Sequence, residues 1–441
     1  MKAIKRRDFL KSSLGAAAAV SAFSPGKSVS ANDKIMVGVM GVGGRGTRLA
    51  EWFASRPDVE VAYICDVNER RFETVLEALE KYQDKDPKTV KDFRRILDDP
   101  QVDALINATP DHWHALGTIM ACQAGKDVYV EKPLAHDIRE GQKMVEAARK
   151  YKRVVQVGTQ TRSAAYVKKA ADFIKEGSLG EVHLVRVYFM MQHPEVPKGP
   201  EEPVPDGFDW DMWCGPAPKA PYSPGHWWFE RWDYSCGGIA GDAIHQLDLA
   251  RMLLGLGYPD SVYQAGGVHF FTDGREIPDT QIATFEYGKL TFVLEAALWM
   301  PYMKKIPNSV RDSDQFPDWP FCSTKVEIFG SKAFMNFGRQ GGGWQAYDEN
   351  SAVFRSEPGR QGDKEHIENF INCMRTRERP VADVEEAHIS TALCHLANIS
   401  YRVGNRKLKF NPETHNFPGD TEADKYLKRE YRQPWVVPDE V

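Results

Sequence analysis

The feature that most constrains the fold of this chain is a glycine-rich turn near its start, in the stretch KIMVGVMGVGGRGTRLAEWFASR. An apolar run of strand length, residues 35–40, leads directly into Gly41, Gly43 and Gly46, and a helical apolar pattern follows. Glycines spaced in this way let the backbone approach a pyrophosphate, while the start of the helix supplies N–H groups and a positive dipole. The turn therefore predicts a nucleotide-binding strand–turn–helix unit.

An acid at the end of the next strand indicates which dinucleotide would bind. The strand VEVAYICD ends at Asp66, where a carboxylate can accept hydrogen bonds from the adenosine ribose hydroxyls. Arg70 and Arg71 are close enough in sequence to meet a 2′-phosphate, but Asp66 would repel that phosphate. The sequence therefore predicts NAD as the cofactor, with NADP less favoured. An acid in a solvated turn is the alternative, and the spacing fits it less well.

Strand-like and helix-like segments continue to alternate after Asp66, through ALINATP, DVYVEKP and RVVQVGTQ. Such alternation predicts an α/β fold with a doubly wound, mostly parallel sheet, which binds ligands beyond the carboxyl ends of its strands. Thr109-Pro110, Glu131-Lys132-Pro133 and Gln160 follow these strands directly. We therefore expect them at the cofactor edge of the sheet.

Composition and charge exclude several other classes of protein. The chain has 441 residues, is 42% hydrophobic and carries a formal net charge of −5, which is typical of a globular protein with two or three domains. The acidic balance gives no support to a nucleic-acid partner. The seven cysteines are scattered without a Cys-x-x-Cys pair, which argues against a zinc site and a disulfide framework. No metal site is predicted.

The first 31 residues have the layout of an export signal. A basic head with Arg6-Arg7 precedes a short, Ala-rich apolar stretch, and Ala31 ends a small-residue cleavage site. The paired arginines resemble a twin-arginine signal, although Lys5 stands where that pattern usually has Ser or Thr. The apolar stretch is too short to span a bilayer. We predict transient binding to the twin-arginine translocase and a periplasmic or otherwise exported mature protein.

Several stretches together resemble the glucose–fructose oxidoreductase/inositol dehydrogenase family, often written Gfo/Idh/MocA. They are GVGGRG, NATPDHWHALGTIMACQAGKDVYVEKPLA, VVQVGTQTR, GGIAGDAIHQLDLARMLLG and DKEHIENFINCMRTRERPVADVEEAH. The resemblance implies a Rossmann domain over residues 32–155 and a C-terminal α/β domain with a large open mixed sheet over 156–441. In that family one face of the sheet covers the nicotinamide and the other often makes subunit contacts, so a homo-oligomer is expected.

The resemblance also implies two proton carriers. The lysine of the family's Glu-Lys-Pro segment reaches the substrate hydroxyl beside the nicotinamide, a role that carries to Lys132. The histidine of the later helix is a general acid/base, a role that carries to His245, and imidazole suits it because it titrates near neutral pH. A lysine shielded from water beside a positive ring has a lowered pKa and can exchange protons. The alternative for Lys132 is an ion pair with Glu131.

The chain departs from the family pattern just before His245. The family usually places an Asp four residues earlier, where this chain has Gly241, and Asp242 comes one residue later. Asp242 is predicted to join the catalytic group with Lys132 and His245, or else to cap the helix. Asp248, three residues after His245, is a second acid that could orient the imidazole ring.

Further contacts are predicted from the same stretches. For the cofactor these are Gly44, Arg45, Thr109, Pro110, His112, His114, Glu131 and Gln160. For a sugar, whose flat C–H faces pack on aromatic rings, they are Trp113, Arg162, Trp213, His226, Trp227, Arg231 and His245. A small hydrophobic cluster under a long loop is the alternative for most rings between residues 205 and 234. A metal site at His112 and His114 is not expected, because no further ligands are apparent.

These observations predict a nicotinamide-dependent oxidoreductase acting on a secondary hydroxyl of a sugar, glycoside or cyclitol. An exported enzyme would have to carry its NAD(H) tightly bound. A second hypothesis is an NAD-assisted glycoside hydrolase or lyase like glycoside hydrolase family 109, which uses transient oxidation and elimination. That family often has Val where Lys132 stands, which favours net oxidoreduction. A third hypothesis, a non-catalytic Rossmann-fold binding protein, is disfavoured by the joint presence of Lys132, His245 and Asp66.

Overall fold

The computed structural model describes residues 34–225 and 227–441. The predicted export signal, residues 1–31, and His226 lie outside the described residues. Residues 35–441 form one compact unit that contains two β-sheets.

The first sheet has six parallel strands in the order β3-β2-β1-β4-β5-β6. They are β1 (Ile35–Met40), β2 (Val59–Cys65), β3 (Lys88–Val90), β4 (Ala104–Asn107), β5 (Asp127–Val130) and β6 (Val155–Val157). The connecting helices are α1 (Gly44–Ala54), α2 (Phe72–Leu79), α3 (Arg94–Leu97), α4 (Asp111–Gln123) and α5 (Ile138–Lys150). The order reverses between β1 and β4, and a reversal of this kind opens a crevice at the carboxyl ends of the strands. The predicted doubly wound parallel sheet is confirmed.

The second sheet has eight strands in the order β14-β13-β12-β11-β7-β10-β9-β8. They are β7 (Val182–Met190), β8 (Ser261–Gly267), β9 (Thr280–Tyr287), β10 (Leu290–Ala297), β11 (Lys325–Gly330), β12 (Phe334–Gly338), β13 (Trp344–Tyr347) and β14 (Val353–Glu357). Only the β7–β10 pair is parallel among the pairings of this sheet in the described residues. The large mixed sheet of the second half is therefore confirmed.

The described residues after β6 include seven helices. They are α6 (Ala165–Lys175), α7 (Trp210–Cys214), α8 (Ile244–Leu254), α9 (Asn308–Arg311), α10 (Asp363–Thr376), α11 (Val384–Arg402) and α12 (Thr421–Asp424). A core of buried side chains joins α6, α8 and α11 to one face of the second sheet. One turn of π-helix, Ile239–Ala243, leads into α8, which ends at Gly255 in the left-handed conformation, as the sequence predicts.

The end of the chain returns to the first sheet. Strand β6, Val155–Val157, is the last strand of that sheet. Helix α10 packs Phe370 and Ile371 into the core beneath β1 and β2. The tail residues Val437 and Val441 are buried in the core on the other side of the sheet. The C-terminal segment therefore stabilises the nucleotide-binding half as well as the second sheet.

Candidate active site

A cleft of about 310 Å³ runs along the carboxyl ends of β1, β2, β4 and β5. Its lining includes residues that the sequence places after each of these strands. They are Gly41, Gly43, Gly44 and Arg45, then Asp66, then Thr109 and Pro110, then Glu131 and Lys132. Parallel strands bring these segments to one edge because their carboxyl ends coincide. We call this space the nucleotide cleft.

The glycine turn leaves the backbone open to the nucleotide cleft. Gly41 has a φ of +83°, and a Cβ there would lie 2.9 Å from the backbone of Ala108. A Cβ on Gly46 would lie 1.8 Å from the Gly41 carbonyl oxygen, whereas one on Gly44 would meet no protein atom within 4 Å. Gly46 therefore allows α1 to pack against the turn. Gly44 begins α1 and leaves room for a phosphate to approach the helix N-terminus.

Asp66 is buried directly after β2 and is held by three donors. The Val42 N–H donates to Oδ2 at 3.0 Å, the Asn68 N–H donates to Oδ1 at 2.9 Å, and the Arg71 guanidinium donates to Oδ2 at 3.2 Å. A carboxylate offers about four acceptor positions, so Oδ1 retains capacity for a ribose hydroxyl. The glycine cradle, the helix N-terminus and this acid together fit a nicotinamide adenine dinucleotide.

Glu131 connects the glycine turn to the end of β5. Arg45 Nε donates to Glu131 Oε1 at 2.7 Å, and Gln160 Nε2 approaches the same oxygen at 3.3 Å. Burial alone would raise the pKa of Glu131, but the adjacent Arg45 and Lys132 lower it overall. Glu131 is therefore an anion that fixes Arg45 beside the cleft, and Lys132 is not needed for that ion pair.

A second cleft of about 390 Å³ adjoins the first and shares Arg45, Glu131, Lys132 and Phe229 with it. Its other polar lining includes Gln160, His193, Asp242, His245, Lys305, Arg339 and Asp363. Lys132 Nζ donates to the Gly241 carbonyl oxygen at 2.5 Å, on the π-helical turn. Lys132 therefore lies between the nucleotide cleft and this neighbouring space, which we call the second cleft.

The electrostatics of the second cleft keep His245 neutral. Burial lowers the pKa of His245 well below 6.5, and the positive charges of Arg339 and Lys132 lower it further. Asp242 forms ion pairs with Arg339 and, at 2.7 Å, with Lys305. Burial alone would raise the pKa of Asp242, but these two cations lower it overall. A neutral imidazole that lines the cleft can accept a proton.

Asp248 does not orient His245, the second possibility that the sequence leaves open. Its carboxylate accepts hydrogen bonds from Arg162 Nε at 2.6 Å and from Arg162 Nη2 at 2.7 Å. Ser390 Oγ donates to the same carboxylate at 2.6 Å. Arg162, predicted to contact the substrate, is consequently committed to a buried ion pair and does not line either cleft.

His112 and His114, predicted to contact the cofactor, support the cleft from behind. The ring nitrogens of His112 lie 3.2 Å from the Tyr234 carbonyl and 2.9 Å from the Trp213 carbonyl. Those of His114 lie 2.6 Å from the Pro133 carbonyl and 2.9 Å from the Thr109 carbonyl. Neither ring lines a cleft. His114 therefore holds the loops after β4 and β5 together.

None of the tryptophans predicted to contact a sugar lines the second cleft. Trp113 and Trp213 line the nucleotide cleft, and Trp113 Nε1 donates to the Met212 and Trp213 carbonyls. Trp227 is buried, and its Nε1 donates to the Ser223 carbonyl. It belongs to a small hydrophobic cluster, which is the alternative that the sequence offers for these rings. Arg231 pairs with Glu276 at 2.6 Å, outside both clefts. His226, also predicted to contact the sugar, lies outside the described residues.

The same aromatic segment covers part of the nucleotide cleft. Met212, Trp213, Trp228 and Phe229 form one wall of it. The segment is tied beside Asp66, where the Glu69 N–H donates to the Gly207 carbonyl at 3.1 Å and the Asp209 N–H donates to the Val67 carbonyl at 2.8 Å. The cleft is therefore enclosed by a loop that its own rim holds in place.

Several lining residues are absent from the sequence predictions. They are Met212, Trp228, Phe229, His193, Lys305, Arg339 and Asp363. Arg339 follows β12 directly, and His193 follows β7 closely. Both strands belong to the mostly antiparallel second sheet, so the strand-end rule for parallel sheets does not point to either residue. Lys305 lies in a long connection between β10 and β11, and no local signal marks it.

Other kinds of site are not apparent in the described ranges. No group of three or more His, Cys, Asp or Glu side chains there could hold a metal ion. All seven cysteines are buried and free. No helix in the same ranges has the length and apolar character needed to cross a membrane.

Three sequence models of one family match most of the chain. Residues 35–159 match the GFO/IDH/MocA model described as an oxidoreductase family with an NAD-binding Rossmann fold. Residues 167–335 match the GFO/IDH/MocA C-terminal domain. Residues 354–437 match the oxidoreductase family's C-terminal alpha/beta domain.

Curated relatives with named activities include dehydrogenases and a glycosidase. The chain is 24% identical over 381 residues to the myo-inositol 2-dehydrogenase of Thermotoga maritima. The match covers 82% of this chain and 95% of that protein. It is 30% identical over 167 residues to the levoglucosan dehydrogenase of Pseudarthrobacter phenanthrenivorans, covering 38% and 37%. It is 27% identical over 152 residues to the alpha-N-acetylgalactosaminidase of Shewanella oneidensis, covering 34% and 33%.

Solved structures share the fold. The WlbA dehydrogenase of Bordetella pertussis, in complex with NADH and UDP-GlcNAcA, superposes with a TM-score of 0.63 at 20% identity, over 86% of this chain and 99% of that one. The aldose-aldose oxidoreductase of Caulobacter crescentus superposes with a TM-score of 0.64 at 18% identity, over 86% of this chain and 100% of that one.

Proposed function

The chain belongs to the Gfo/Idh/MocA family of NAD-binding oxidoreductases, and on that premise we propose that it oxidises or reduces a secondary hydroxyl position of a sugar, glycoside or cyclitol. The observation that carries the proposal is the position of Lys132, which lines the nucleotide cleft and the second cleft at once. A substrate in the second cleft would lie against the one wall that both spaces share.

The chemistry divides between the cofactor and two side chains. NAD⁺ bound in the nucleotide cleft supplies the two-electron acceptor. Oxidising a carbinol also releases the hydroxyl proton, which the neutral His245 imidazole is placed to take, and Lys132 Nζ is placed to donate a hydrogen bond to the carbinol oxygen. His245 is neutral because its pKa lies well below 6.5, so it can accept a proton at neutral pH. Asp242 fixes Arg339 and Lys305 by ion pairs, and the charge of Arg339 helps to lower the pKa of His245.

The balance of charge in the second cleft favours an uncharged, hydroxylated substrate. Four cations line it, Arg45, Lys132, Lys305 and Arg339, and four acids do so as well, Glu131, Glu230, Asp242 and Asp363. Arg45 pairs with Glu131, and Arg339 and Lys305 pair with Asp242. Polar groups in such a cleft can hydrogen-bond several hydroxyls without leaving an uncompensated charge. The relatives named for myo-inositol and levoglucosan are consistent with this substrate class.

We also propose that NAD(H) stays bound between turnovers. Met212, Trp213, Trp228 and Phe229 wall the nucleotide cleft, and backbone hydrogen bonds tie their segment to the rim beside Asp66. Release of a nucleotide would require this segment to move away. Protein purified without added nucleotide is therefore expected to release NAD or NADH when it is denatured, at near one molecule per chain.

The test of the proposed function is a substrate screen with the purified protein. Myo-inositol, levoglucosan, glucose and a p-nitrophenyl α-N-acetylgalactosaminide are mixed with it separately, with and without added NAD⁺, and nicotinamide absorbance and products are followed. Reduction of the nicotinamide with formation of a ketone product supports net oxidoreduction. A protein that neither contains nor binds nicotinamide nucleotides contradicts the proposal.

A second function, redox-assisted cleavage of a glycoside, is kept because glycosyl hydrolase family 109 proteins are among the relatives. In that case the aryl glycoside releases nitrophenol while the net oxidation state of the bound nicotinamide is unchanged. Lys132 favours the first function, because it stands where family 109 proteins often have Val.

Location and assembly are further parts of the proposal. The basic head and Ala-rich stretch within residues 1–31 support export through the twin-arginine translocase to the periplasm. Tyr263 and Ile282 are exposed on neighbouring strands of the second sheet, on the face away from its helices, which supports a homo-oligomer with this face in contact. Cell fractionation and light scattering of the mature protein test these two points.

A further inference from the structure

A third cavity of about 360 Å³ lies apart from the active site and shares no lining residue with either cleft. Its walls come from the start of α5, residues 232–236, α11 and the tail between residues 425 and 430. Its volume is within the range of small-molecule sites. Nothing in the proposed function uses it.

Arg402 presents a fixed positive charge to this cavity. The centre of its guanidinium lies 5.1 Å from the Trp232 ring and 4.2 Å from the Tyr426 ring, and both rings also line the cavity. Among the described residues the guanidinium forms no ion pair with a carboxylate. Burial lowers the pKa of Arg402 by more than the nearby Tyr426, Asp233 and Glu276 raise it. The two rings therefore hold a guanidinium whose N–H groups have capacity for an anion.

Arg429 adds a second guanidinium whose charge is incompletely offset. Its Nε and Nη2 atoms are buried without a hydrogen-bond partner, and the nearest carboxylate oxygen, Glu140 Oε1, lies 3.6 Å from Nε. Burial, followed by the neighbouring Asp137, raises the pKa of Glu140, which weakens it as a counter-charge for Arg429. Buried donors of this kind are costly unless a ligand or water supplies acceptors.

His136 and the acids complete the lining. The ring nitrogens of His136 are buried and have no hydrogen-bond partner beyond the backbone of Trp232. Asp137 already accepts the Glu140 N–H at 2.8 Å and the Arg429 N–H at 3.1 Å. Asp233 and Glu430 remain as carboxylates on the wall, and such groups accept hydrogen bonds from hydroxyls.

We propose that this cavity binds a hydroxylated oxyanion, that is, a sugar or polyol carrying a carboxylate or a phosphate group. Its oxyanion would lie against Arg402 and Arg429, and its hydroxyls would face Asp233 and Glu430. Arginine suits this role because its planar donors match carboxylate and phosphate oxygens in pairs. The site is independent of the proposed oxidoreduction, because it involves none of the residues of either cleft.

Titration calorimetry on the purified, cofactor-containing protein tests the proposal with four probes: D-glucuronate, glucose 6-phosphate, glucose and inorganic phosphate. At least one charged sugar is expected to bind more tightly than glucose, and which one binds tells a carboxylate from a phosphate site. Arg402→Gln should weaken that binding at least about tenfold, because it removes charge-assisted hydrogen bonds. Arg402→Lys keeps the charge but loses the paired donors. Its affinity for the charged sugar should therefore lie between that of the wild type and that of Arg402→Gln.

Two further variants locate the binding. Arg355→Gln alters an exposed arginine on β14 and should bind like the wild type. His245→Asn alters the second cleft and should also bind the charged sugar normally. The proposal is overturned if neither charged sugar binds, if inorganic phosphate binds but no sugar does, or if Arg402→Gln weakens the binding of glucose as much as that of the charged sugar. It is also overturned if Arg402→Gln leaves the affinity unchanged or if His245→Asn abolishes binding.

Discussion

The nucleotide cleft and the second cleft meet at Lys132 but are assembled in different ways. The nucleotide cleft takes most of its lining from the carboxyl ends of four parallel strands between residues 35 and 132. The second cleft gathers residues from position 45 to position 363, out of a π-helical turn, strand ends and long connections. Sheet topology positions most of the first, with one wall added by the loop that carries Trp213, whereas the second exists only after distant segments have packed together.

The electrostatics of the two clefts differ in the same sense. Asp66 in the nucleotide cleft is held mainly by backbone N–H groups, which any sequence on this fold would provide. Asp242 in the second cleft is held by the side chains of Arg339 and Lys305. Side-chain partners can change without altering the fold. Cofactor binding and substrate choice are therefore separable in this molecule, and single substitutions can test that separation.

The largest expected effect is the loss of turnover in His245→Asn with the cofactor retained. Removing a positioned proton acceptor should lower kcat/KM for an active polyol by about 10²- to 10⁴-fold. The nucleotide released on denaturation should match the wild type, because His245 does not line the nucleotide cleft. His183→Asn, an exposed histidine of β7, is the control. Equal loss of NAD(H) and turnover would break the separation of the two clefts.

A matched pair of glycine substitutions tests the nucleotide cleft. In Gly46→Ala the new Cβ would meet the Gly41 carbonyl oxygen at 1.8 Å, so the turn must shift. We expect the free energy of unfolding to fall by about 1–3 kcal/mol and the bound NAD(H) to be lost. In Gly44→Ala the new Cβ meets no protein atom within 4 Å, so the free energy of unfolding should lie within about 0.5 kcal/mol of the wild-type value. Urea titrations followed by nucleotide assays distinguish the two; similar stabilities would contradict the packing role of Gly46.

Asp66→Ala should change the choice of nucleotide and leave the chemistry intact. Loss of the acceptor for the ribose hydroxyls should weaken NAD binding about tenfold or more. NADP should suffer less, because the repulsion of its 2′-phosphate disappears. Rates at saturating NAD should stay close to the wild type. Dissociation constants for both nucleotides provide the measurement, with the exposed Asp86→Ala as control. An equal change for NAD and NADP would mean that Asp66 has no part in the discrimination.

The smallest expected effect is the change in kcat/KM for oxidation as the pH falls through 6.5. A proton acceptor must be unprotonated, and burial together with Arg339 and Lys132 lowers the pKa of His245 well below 6.5. His245 therefore stays neutral as the pH falls through 6.5, and kcat/KM for oxidation should hold until the medium is more acidic. A pH profile at saturating cofactor checks this. Half-maximal activity at pH 6.5 or above would show that another group, or a less buried His245, controls the rate.

The same contrast decides how much could be predicted from sequence. The first sheet, the glycine turn and Asp66 follow from apolar periodicity and glycine spacing, which are local signals. Strand β3 and helix α3 are too short to give such a signal. The helix carrying His245 is recognisable and ends at Gly255 as expected, but the π-helical turn before it is not visible in the pattern.

The second cleft shows why the remainder could not be predicted. Arg162 follows a strand as Lys132 does, yet a buried ion pair with Asp248, 86 positions away, turns it out of the site. Trp213 was expected near a sugar and instead lines the nucleotide cleft, because its loop folds back onto the rim beside Asp66. Which cleft a loop residue faces depends on long-range packing, and sequence spacing carries no record of it.

The most direct test of the account is a single-turnover experiment on Lys132→Met. The variant is purified with its bound nucleotide, mixed with the polyol that the screen identifies, and reduction of the bound nicotinamide is followed. We expect a full complement of NAD(H) and a reduction rate lowered at least about 100-fold, because the donor that holds the carbinol oxygen where the two clefts meet is gone. A rate within a few-fold of the wild type would contradict the assignment of Lys132 as the residue that joins cofactor and substrate.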